Sequence, residues 1–206
     1  MEKTITVDNY ACRALVSTKP GVPLVFLHGY SFTSDVWKEI GVLSVLKEQS
    51  IPFLALDLPY GAQSQCHPKT QIPHINVGVL RQALSAFFGD KAVFLIGASL
   101  GGYIALHYAV QHPVKGLLLI APVRSTESIL ALKYPNLSNV TIIHGSTDTI
   151  VSYQEMKNLT DQLPNANLLV YERAGHPAYL HNPKRFLEDL ITAYNHATSE
   201  QRDTTS

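Results

Sequence analysis

The feature that most constrains this chain is a glycine-flanked serine that directly follows a run of apolar residues. The apolar stretch 93–96 is typical of a strand, Gly97-Ala98-Ser99-Leu100-Gly101 follows it, and residues 103–111 favour a helix. In that context a G-x-S-x-G sequence predicts a tight strand-to-helix turn that lifts the serine hydroxyl above the edge of a sheet. Glycine suits both flanks because the crowded backbone leaves no room for a Cβ atom. The pattern indicates Ser99 as a nucleophile, with a serine that merely caps the helix as the alternative.

A serine hydroxyl is a weak nucleophile at neutral pH, so it needs a base and an acid that orients the base. Asp148 and His176 follow the last two predicted strands of the chain, in that order. Asp148 would accept the Nδ1 proton of His176, and His176 would take the proton of Ser99. Taken singly, the aspartate could cap a helix and the histidine could be a surface residue. Asp57, at the end of the fourth predicted strand, is an alternative acid.

Acyl transfer also needs backbone donors that stabilise the oxyanion of the intermediate. The N–H group of Leu100, directly after the predicted nucleophile, is one such donor. The second is expected from the loop after an earlier strand, and we predict the N–H group of Tyr30. His28 is expected to support this loop through local hydrogen bonds. Ser31 and Phe32 lie beside the same loop and could contact substrate, although Phe32 could equally belong to the core.

From the third apolar run onward, short strand-like runs alternate with helical segments, as expected for parallel strands that are buried on both faces. The first two strands are joined by almost no loop and should form an antiparallel hairpin. The sequence therefore predicts an α/β fold. The predicted strands are 4–8, 10–17, 23–28, 53–57, 92–96, 115–121, 139–144 and 167–171. The predicted helices are 35–49, 73–88, 100–111, 152–163 and 183–196.

The chain resembles the α/β-hydrolases and, more narrowly, the small lidless members related to abhydrolase domain 14. The resemblance implies an α/β-hydrolase fold, with a mostly parallel eight-stranded sheet flanked by helices. The elbow differs from that subgroup, which has serine where this chain has Gly97 and Gly101. The matching blocks are 28–34 with Trp37, 55–61, and 174–180 with Pro183.

Larger relatives insert a helical cap between the sixth and seventh strands, and here only the residues between Ala121 and Asn139 are available. That stretch is too short for a lid, so we predict no cap domain and a shallow, open pocket. Val123, Ile150 and Tyr179 follow strand ends or the predicted catalytic loops. Each is a candidate wall residue of the substrate pocket, with plain packing as the alternative.

The length of 206 residues predicts one domain, residues 1–197, followed by a polar tail, residues 198–206, that we expect to be disordered. Lys and Arg together number 16, as do Asp and Glu, so no global field favours nucleic acid or an anionic membrane. The chain has no apolar signal segment, and a cytoplasmic protein is expected. No motif for a metal or a dinucleotide cofactor is present, and neither group is expected.

Two cysteines do not make a disulfide framework. We expect Cys12 to be a small buried residue in a strand. Cys66 lies in a polar stretch and is expected to be an exposed thiol without a catalytic role.

These patterns predict a serine hydrolase of the carboxylesterase type that cleaves small esters with short acyl groups. A thioesterase, an acyltransferase or a deacylase would use the same three side chains. A ligand-binding or scaffold protein without turnover is a further alternative, since fold does not fix function.

Overall fold

The computed structural model describes residues 1–125, 127, 137–163 and 165–199, in which one sheet lies between two layers of helices. The strands are β1 (Glu2–Val7), β2 (Tyr10–Ser17), β3 (Leu24–Leu27), β4 (Phe53–Leu56), β5 (Cys66–His67), β6 (Val93–Ala98), β7 (Val114–Ile120), β8 (Val140–Gly145) and β9 (Asn167–Tyr171). The helices are α1 (Asp35–Glu39), α2 (Val42–Glu48), α3 (Pro73–Phe88), α4 (Leu100–Gln111), α5 (Tyr153–Gln162), α6 (Ala178–His181) and α7 (Pro183–Ser199).

The strands pair in the order β1-β2-β4-β3-β6-β7-β8-β9, and β5 pairs with β2. β1 is antiparallel to β2, which is antiparallel to β4, whereas the pairs from β4 through β9 are parallel. This arrangement confirms the predicted mostly parallel α/β sheet. Because the carboxyl ends of the parallel strands meet at one edge, the loops after β3, β6, β8 and β9 come together there.

Each face of the sheet carries its own apolar core, because successive side chains of a strand point to opposite faces. In β3, Val25 and Leu27 belong to the core under α3 and α4, which also contains Leu80 and Ile104. Leu24 and Phe26 belong to the other core. That second core lies under α1, α2 and α7 and includes a cluster of aromatic rings formed by Phe26, Trp37, Tyr179 and Phe186.

The structure corrects the predicted helix 35–49, which is divided into α1 and α2. Gly41 separates the two helices with a φ of +81°, a backbone conformation that favours glycine. The periodicity of apolar residues continues across this break, so the sequence pattern alone suggests one helix. Val36, Trp37, Val42 and Leu46 all remain buried on the same side.

Cys12 is buried in β2 as expected, but the expectation for Cys66 was wrong. Cys66 is buried rather than exposed, and it forms a disulfide bond with Cys12. The two residues face each other because Cys66 lies in β5, a short ninth strand that pairs with β2. Since this pairing joins positions 54 residues apart, no local pattern in the sequence indicates it.

The carboxyl-terminal helix α7 extends through Ser199, two positions into the segment that the sequence assigns to a disordered tail. The hydroxyl of Thr198 donates to the carbonyl oxygen of Tyr194 at 2.9 Å, in the helical i to i−4 pattern. The rest of the predicted tail, 200–206, lies outside the described residues. Between β7 and β8 the described part of the chain contains no separate cap domain. None of the helices in the described residues is long and apolar enough to cross a bilayer.

Candidate active site

Ser99 lies on the sharp turn between β6 and α4. Its φ is +53° and its ψ is −114°, a conformation that residues other than glycine rarely adopt. The Ser99 N–H group donates to the carbonyl oxygen of Ile120 at 2.8 Å, and the Ser99 carbonyl oxygen accepts from Gly102 and Tyr103 in the first turn of α4. Hydrogen bonds to β7 and to the first turn of α4 therefore hold the unusual backbone conformation.

The glycines that flank Ser99 are required by close backbone packing. A Cβ atom on Gly97 would lie 2.6 Å from the carbonyl oxygen of Gly101. A Cβ atom on Gly101 would lie 2.6 Å from the carbonyl oxygen of His28 and against that of Leu27. The first turn of α4 is thus pressed both onto β6 and onto the end of β3.

Three side chains that are far apart in the sequence form a hydrogen-bonded chain at the carboxyl edge of the sheet. His176 Nδ1 lies 2.8 Å from Asp148 Oδ2, and His176 Nε2 lies 2.9 Å from Ser99 Oγ. An ionised carboxylate only accepts, so Nδ1 carries the proton and Nε2 accepts from the serine hydroxyl. The Asp148 side chain is inaccessible to solvent, whereas 19% of the His176 side chain is exposed. The imidazole can therefore reach both a buried acid and a reactant.

The carboxylate of Asp148 is held by several donors. Its Oδ1 accepts from the amides of Ile150 at 2.8 Å and Val151 at 3.0 Å, while Oδ2 faces His176. Burial raises the pKa of Asp148, but the amide of Val151, the His176 imidazole and the amide of Ile150 outweigh burial, so the pKa lies below its usual value. Asp148 is therefore ionised at neutral pH and can stabilise an imidazolium.

A second imidazole, which the sequence analysis did not single out, lies beside this carboxylate. His144 Nδ1 is 3.9 Å from Asp148 Oδ2, beyond hydrogen-bond distance, and the His144 side chain is buried. Burial lowers the pKa of His144, and so does the neighbouring His176. The position of His144, four residues before Asp148 on the same strand-to-loop segment, is the only signal that could have indicated it.

Asp57, the alternative acid, binds backbone amides of two loops and does not contact His176. Its Oδ1 accepts from the amide of Ser34 at 2.6 Å and its Oδ2 accepts from the amide of Gln65 at 2.7 Å. Asp57 is fully buried, and both of its oxygens are engaged by loop amides. The structure therefore brings Asp148, and not Asp57, into contact with His176.

The loop after β3 is fixed by His28, whose tautomer follows from its partners. His28 Nε2 accepts from the amide of Leu58 at 3.3 Å, so Nδ1 carries the proton and donates to the carbonyl oxygen of Gly29 at 2.8 Å. Burial lowers the pKa of His28, which keeps the ring neutral. The Gly29 carbonyl also accepts from Phe32 at 3.0 Å. In a trans peptide the N–H group points away from the C=O group, so these bonds set the direction of the Tyr30 N–H group.

Two backbone donors in the segments that meet at Ser99 have no partner among the described residues. One is the N–H group of Tyr30, and the other is the N–H group of Leu100, the first residue of α4. The first N–H groups of a helix have no acceptor within it, and they lie at the positive end of the helix dipole. Both donors are the ones that the sequence predicts for an oxyanion hole, and both remain available to a ligand.

A small cavity of about 20 Å³ adjoins Ser99. Two of the predicted pocket residues, Phe32 and Tyr179, line it. The structure does not place the other three in its wall. Ser31 is exposed, Val123 packs against the core, and 66% of Ile150 is exposed. The residues that line the cavity are Gly29, Phe32, Ala98, Ser99, Ile120, His176, Pro177 and Tyr179.

No three His, Cys, Asp or Glu side chains within the described ranges are grouped so that they could hold a metal ion.

Comparisons with known proteins show which family the chain belongs to. Residues 24–136 match the model of the Alpha/beta hydrolase family. The chain belongs to this family. Residues 112–206 also match a model described as TAP-like protein.

The curated relatives include two forms of an ABHD14 protein. ABHD14A of Danio rerio is 35% identical over 84% of this chain and 64% of its own length. ABHD14A of Homo sapiens is 31% identical over 85% of this chain, which spans 65% of that relative. ABHD14B of Rattus norvegicus, whose name gives protein-lysine deacylase as a proposed activity, is 31% identical over 82% of this chain and 80% of its own length. The chain is thus an alpha/beta hydrolase of the ABHD14 type.

Solved structures share the fold at lower sequence identity. A structure from Thermoplasma acidophilum, described as a predicted CIB-like hydrolase, has a TM-score of 0.79 at 22% identity and covers 96% of this chain and 97% of its own. An esterase from Rhodococcus sp. ECU1013 has a TM-score of 0.72 at 19% identity, with 93% and 97% covered.

We expect Gly101→Ala to destabilise the protein by about 1–3 kcal/mol, because the added methyl group meets backbone that cannot move freely. Gly78→Ala is the matched control. Gly78 lies inside α3 with open space around its Cβ position, so alanine there should stabilise the helix by about 0.5–1 kcal/mol. Urea denaturation of both variants measures the two effects. An unchanged midpoint for Gly101→Ala would show that the elbow is not closely packed.

Proposed function

We propose that the protein is a serine hydrolase that cleaves short acyl groups from small esters. The observation that carries this proposal is the hydrogen-bonded chain from Asp148 through His176 to Ser99, with distances of 2.8 and 2.9 Å. The order of the three residues in the chain, serine, aspartate and then histidine, is that of alpha/beta hydrolases. Membership of that family supports the same proposal.

In the first half of the reaction, Ser99 Oγ attacks the carbonyl carbon of the substrate. The hydroxyl proton moves to His176 Nε2, and Asp148 stabilises the resulting imidazolium through Nδ1. The carbonyl oxygen becomes an oxyanion, which accepts hydrogen bonds from the free N–H groups of Tyr30 and Leu100. When the intermediate collapses, His176 donates its proton to the leaving alcohol, and the acyl group remains on Ser99.

In the second half, water replaces the alcohol. His176 Nε2 takes a proton from water as the water oxygen attacks the acyl carbonyl, and the same two amides hold the second oxyanion. Collapse of this intermediate returns the proton to Ser99 Oγ and releases the carboxylic acid. The exposed part of the His176 side chain gives water access to the base.

A deacylase that acts on acyl-lysine is the second candidate, since ABHD14B carries that name as a proposed activity. The same residues would act, with His176 protonating a leaving amine in place of an alcohol. Nothing in the small cavity distinguishes an ester from an amide, because both present the same acyl group to it. Thioester hydrolysis and acyl transfer to an acceptor other than water use the same steps.

Ser99→Ala should abolish ester hydrolysis, with a loss in kcat of about 10⁴-fold or more, because the nucleophile is removed. Hydrolysis of p-nitrophenyl acetate by purified protein measures the loss. Circular dichroism and thermal melting should be unchanged, since alanine fits the same turn. A variant that folds and retains wild-type activity would rule out Ser99 as the nucleophile.

Asp148→Asn should lower kcat by about 10³–10⁴-fold, because an amide at this position favours the wrong imidazole tautomer. Asp57→Asn is the matched carboxylate-to-amide change at the other buried aspartate. It breaks only loop contacts and should cost less in kcat. Steady-state kinetics of the two variants compare the roles. A greater loss of kcat in Asp57→Asn would identify Asp57 as the acid.

Chain-length preference should favour acetyl to butyryl esters over decanoyl esters. Each buried methylene contributes about 0.8 kcal/mol in a long apolar channel, but the cavity beside Ser99 holds only about 20 Å³. The gain in kcat/KM should therefore stop early in a series of p-nitrophenyl esters, assayed below their critical micelle concentrations. A steady rise through dodecanoyl esters would reveal a deep acyl channel instead.

A further inference from the structure

His144 is a buried imidazole that the proposed reaction does not use. Its side chain is 3% exposed, and its Nδ1 atom has no hydrogen-bond partner among the described residues. A buried polar atom without a partner is unfavourable, so native structures rarely keep one without a use. Here Nδ1 of His144 lies 3.9 Å from Oδ2 of Asp148. His176 Nδ1 contacts the same carboxylate oxygen at 2.8 Å.

The backbone fixes His144 relative to the other two side chains. His144 lies in the last turn-ward part of β8, four positions before Asp148. Between them, the amide and the hydroxyl of Thr147 both donate to the carbonyl oxygen of Ala174 at 2.9 Å. Ala174 precedes His176 by two positions. The segments that carry His144, Asp148 and His176 are therefore joined directly by hydrogen bonds.

The groups around His144 keep its imidazole neutral. Burial lowers the pKa of His144, and the neighbouring His176 lowers it further. The carboxylates of Asp148 and Glu155 oppose this decrease without cancelling it, so the ring is uncharged at physiological pH. The ring of Tyr153 packs nearby, with its centroid 6.1 Å from that of His144. A neutral imidazole has one N–H donor and one lone pair, so the position of its proton decides which of them faces the carboxylate.

Electrostatics places this proton on Nδ1. A lone pair on Nδ1 would face the ionised carboxylate of Asp148, and a buried environment screens that repulsion only weakly. An N–H group at the same position directs the positive end of its dipole toward Oδ2. The distance of 3.9 Å is too long for a hydrogen bond, but charge–dipole attraction still acts across it.

We propose that His144 is a positioning residue that acts on the reaction through Asp148. Its Nδ1–H group holds Oδ2 of Asp148 in the orientation that accepts from His176, and it offsets part of the negative charge of the carboxylate. Without this dipole, the carboxylate would stabilise the imidazolium form of His176 more strongly. Only the neutral imidazole accepts the proton of Ser99, so the reaction would be lost at a higher pH on the acidic side. This role rests on the proposed function, since it concerns the base of the same site.

The test measures how the labelling of Ser99 by a fluorophosphonate depends on pH. Ser99 Oγ forms a bond to phosphorus, fluoride leaves, and His176 takes the hydroxyl proton, so labelling needs the base but not turnover. His144→Leu removes the donor. His144→Asn has nearly the same size as the leucine variant but keeps an amide N–H group near the position of Nδ1.

We expect His144→Leu to raise the midpoint of the acidic limb by about half a pH unit and to lower the plateau labelling rate by about fivefold. His144→Asn should keep the wild-type midpoint, because its amide restores a donor toward Oδ2. A change that only loosened the packing around position 144 would lower the rate at every pH without moving the midpoint.

His144→Gln is the matched control, because its longer side chain places the amide near the position of Nε2 instead of Nδ1. It should shift the midpoint as His144→Leu does, and it replaces that variant if circular dichroism shows that leucine prevents folding. A wild-type midpoint in a folded His144→Leu or His144→Gln would overturn the inference. Equal shifts in His144→Asn and His144→Gln would also overturn it, since the position of the donor would then have no effect.

Hydrolysis of p-nitrophenyl acetate separates this inference from the proposed function. If the wild type is labelled at Ser99 and hydrolyses the ester, the proposed function stands whatever the His144 variants show. If it is labelled but does not turn over esters, the proposed function fails and the labelling rates still decide the role of His144. If Ser99 of the folded wild type does not react with the probe, both fail.

Discussion

The rest of the active site depends on the close approach of three backbone segments beside Ser99. Gly97 in β6 and Gly101 in α4 touch each other's backbone, and Gly101 also touches the end of β3. This packing forces Ser99 into its positive-φ conformation and places the amide of Leu100 at the free end of α4. It also brings the loop after β3 against the elbow, since a Cβ atom on Gly29 would lie 3.7 Å from Ser99 Cβ. One steric constraint therefore positions both the half-buried Ser99 and the two segments that carry the proposed oxyanion donors.

The hydrogen-bond partners of Asp57 and Asp148 distinguish a structural role from the proposed catalytic role. Both carboxylate oxygens of Asp57 accept from loop amides. These hydrogen bonds hold the chain around Ser34 and Gln65 near the end of β4. Asp148 gives one oxygen to backbone amides and leaves the other for an imidazole. Both side chains are aspartates that are inaccessible to solvent. Only Asp148 has a carboxylate oxygen that does not accept from a backbone amide, so only Asp148 can orient an imidazole base.

Local patterns in the sequence predicted much of the fold, because the features that they report are themselves local. Apolar runs marked the parallel strands, and the two glycines around Ser99 marked the turn. Features that depend on contacts between distant segments were missed. β5 and the bond between Cys66 and Cys12 exist only because β2 meets a distant loop. The break at Gly41 was missed for another reason, since the apolar periodicity continues through it.

For the candidate site, the sequence predicted the hydrogen-bonded side chains better than the wall of the cavity. Ser99, Asp148 and His176 could be named because each follows a strand end, and strand ends of a parallel sheet share an edge. In the structure, two hydrogen bonds connect the three side chains, from Asp148 to His176 and from His176 to Ser99. The wall of the cavity was predicted less well, and Ser31, Val123 and Ile150 lie outside it. Wall residues come from the loops after β3 and β9, from the ends of β6 and β7, and from α6, and no sequence pattern indicates how these segments pack together.

The surroundings of Ser99 are unevenly enclosed, and on the proposed function this difference bears on specificity. One side is the small cavity, walled by buried residues such as Ile120 and Tyr179. His176 lines the same cavity and keeps 19% of its side chain exposed, so the site also opens to solvent. On the proposed function, the cavity would select an acyl group by its size, whereas the leaving group would extend toward solvent. The same arrangement is compatible with an ester, whose leaving group is an alcohol, and with an acyl-lysine, whose leaving group is the amine of a side chain.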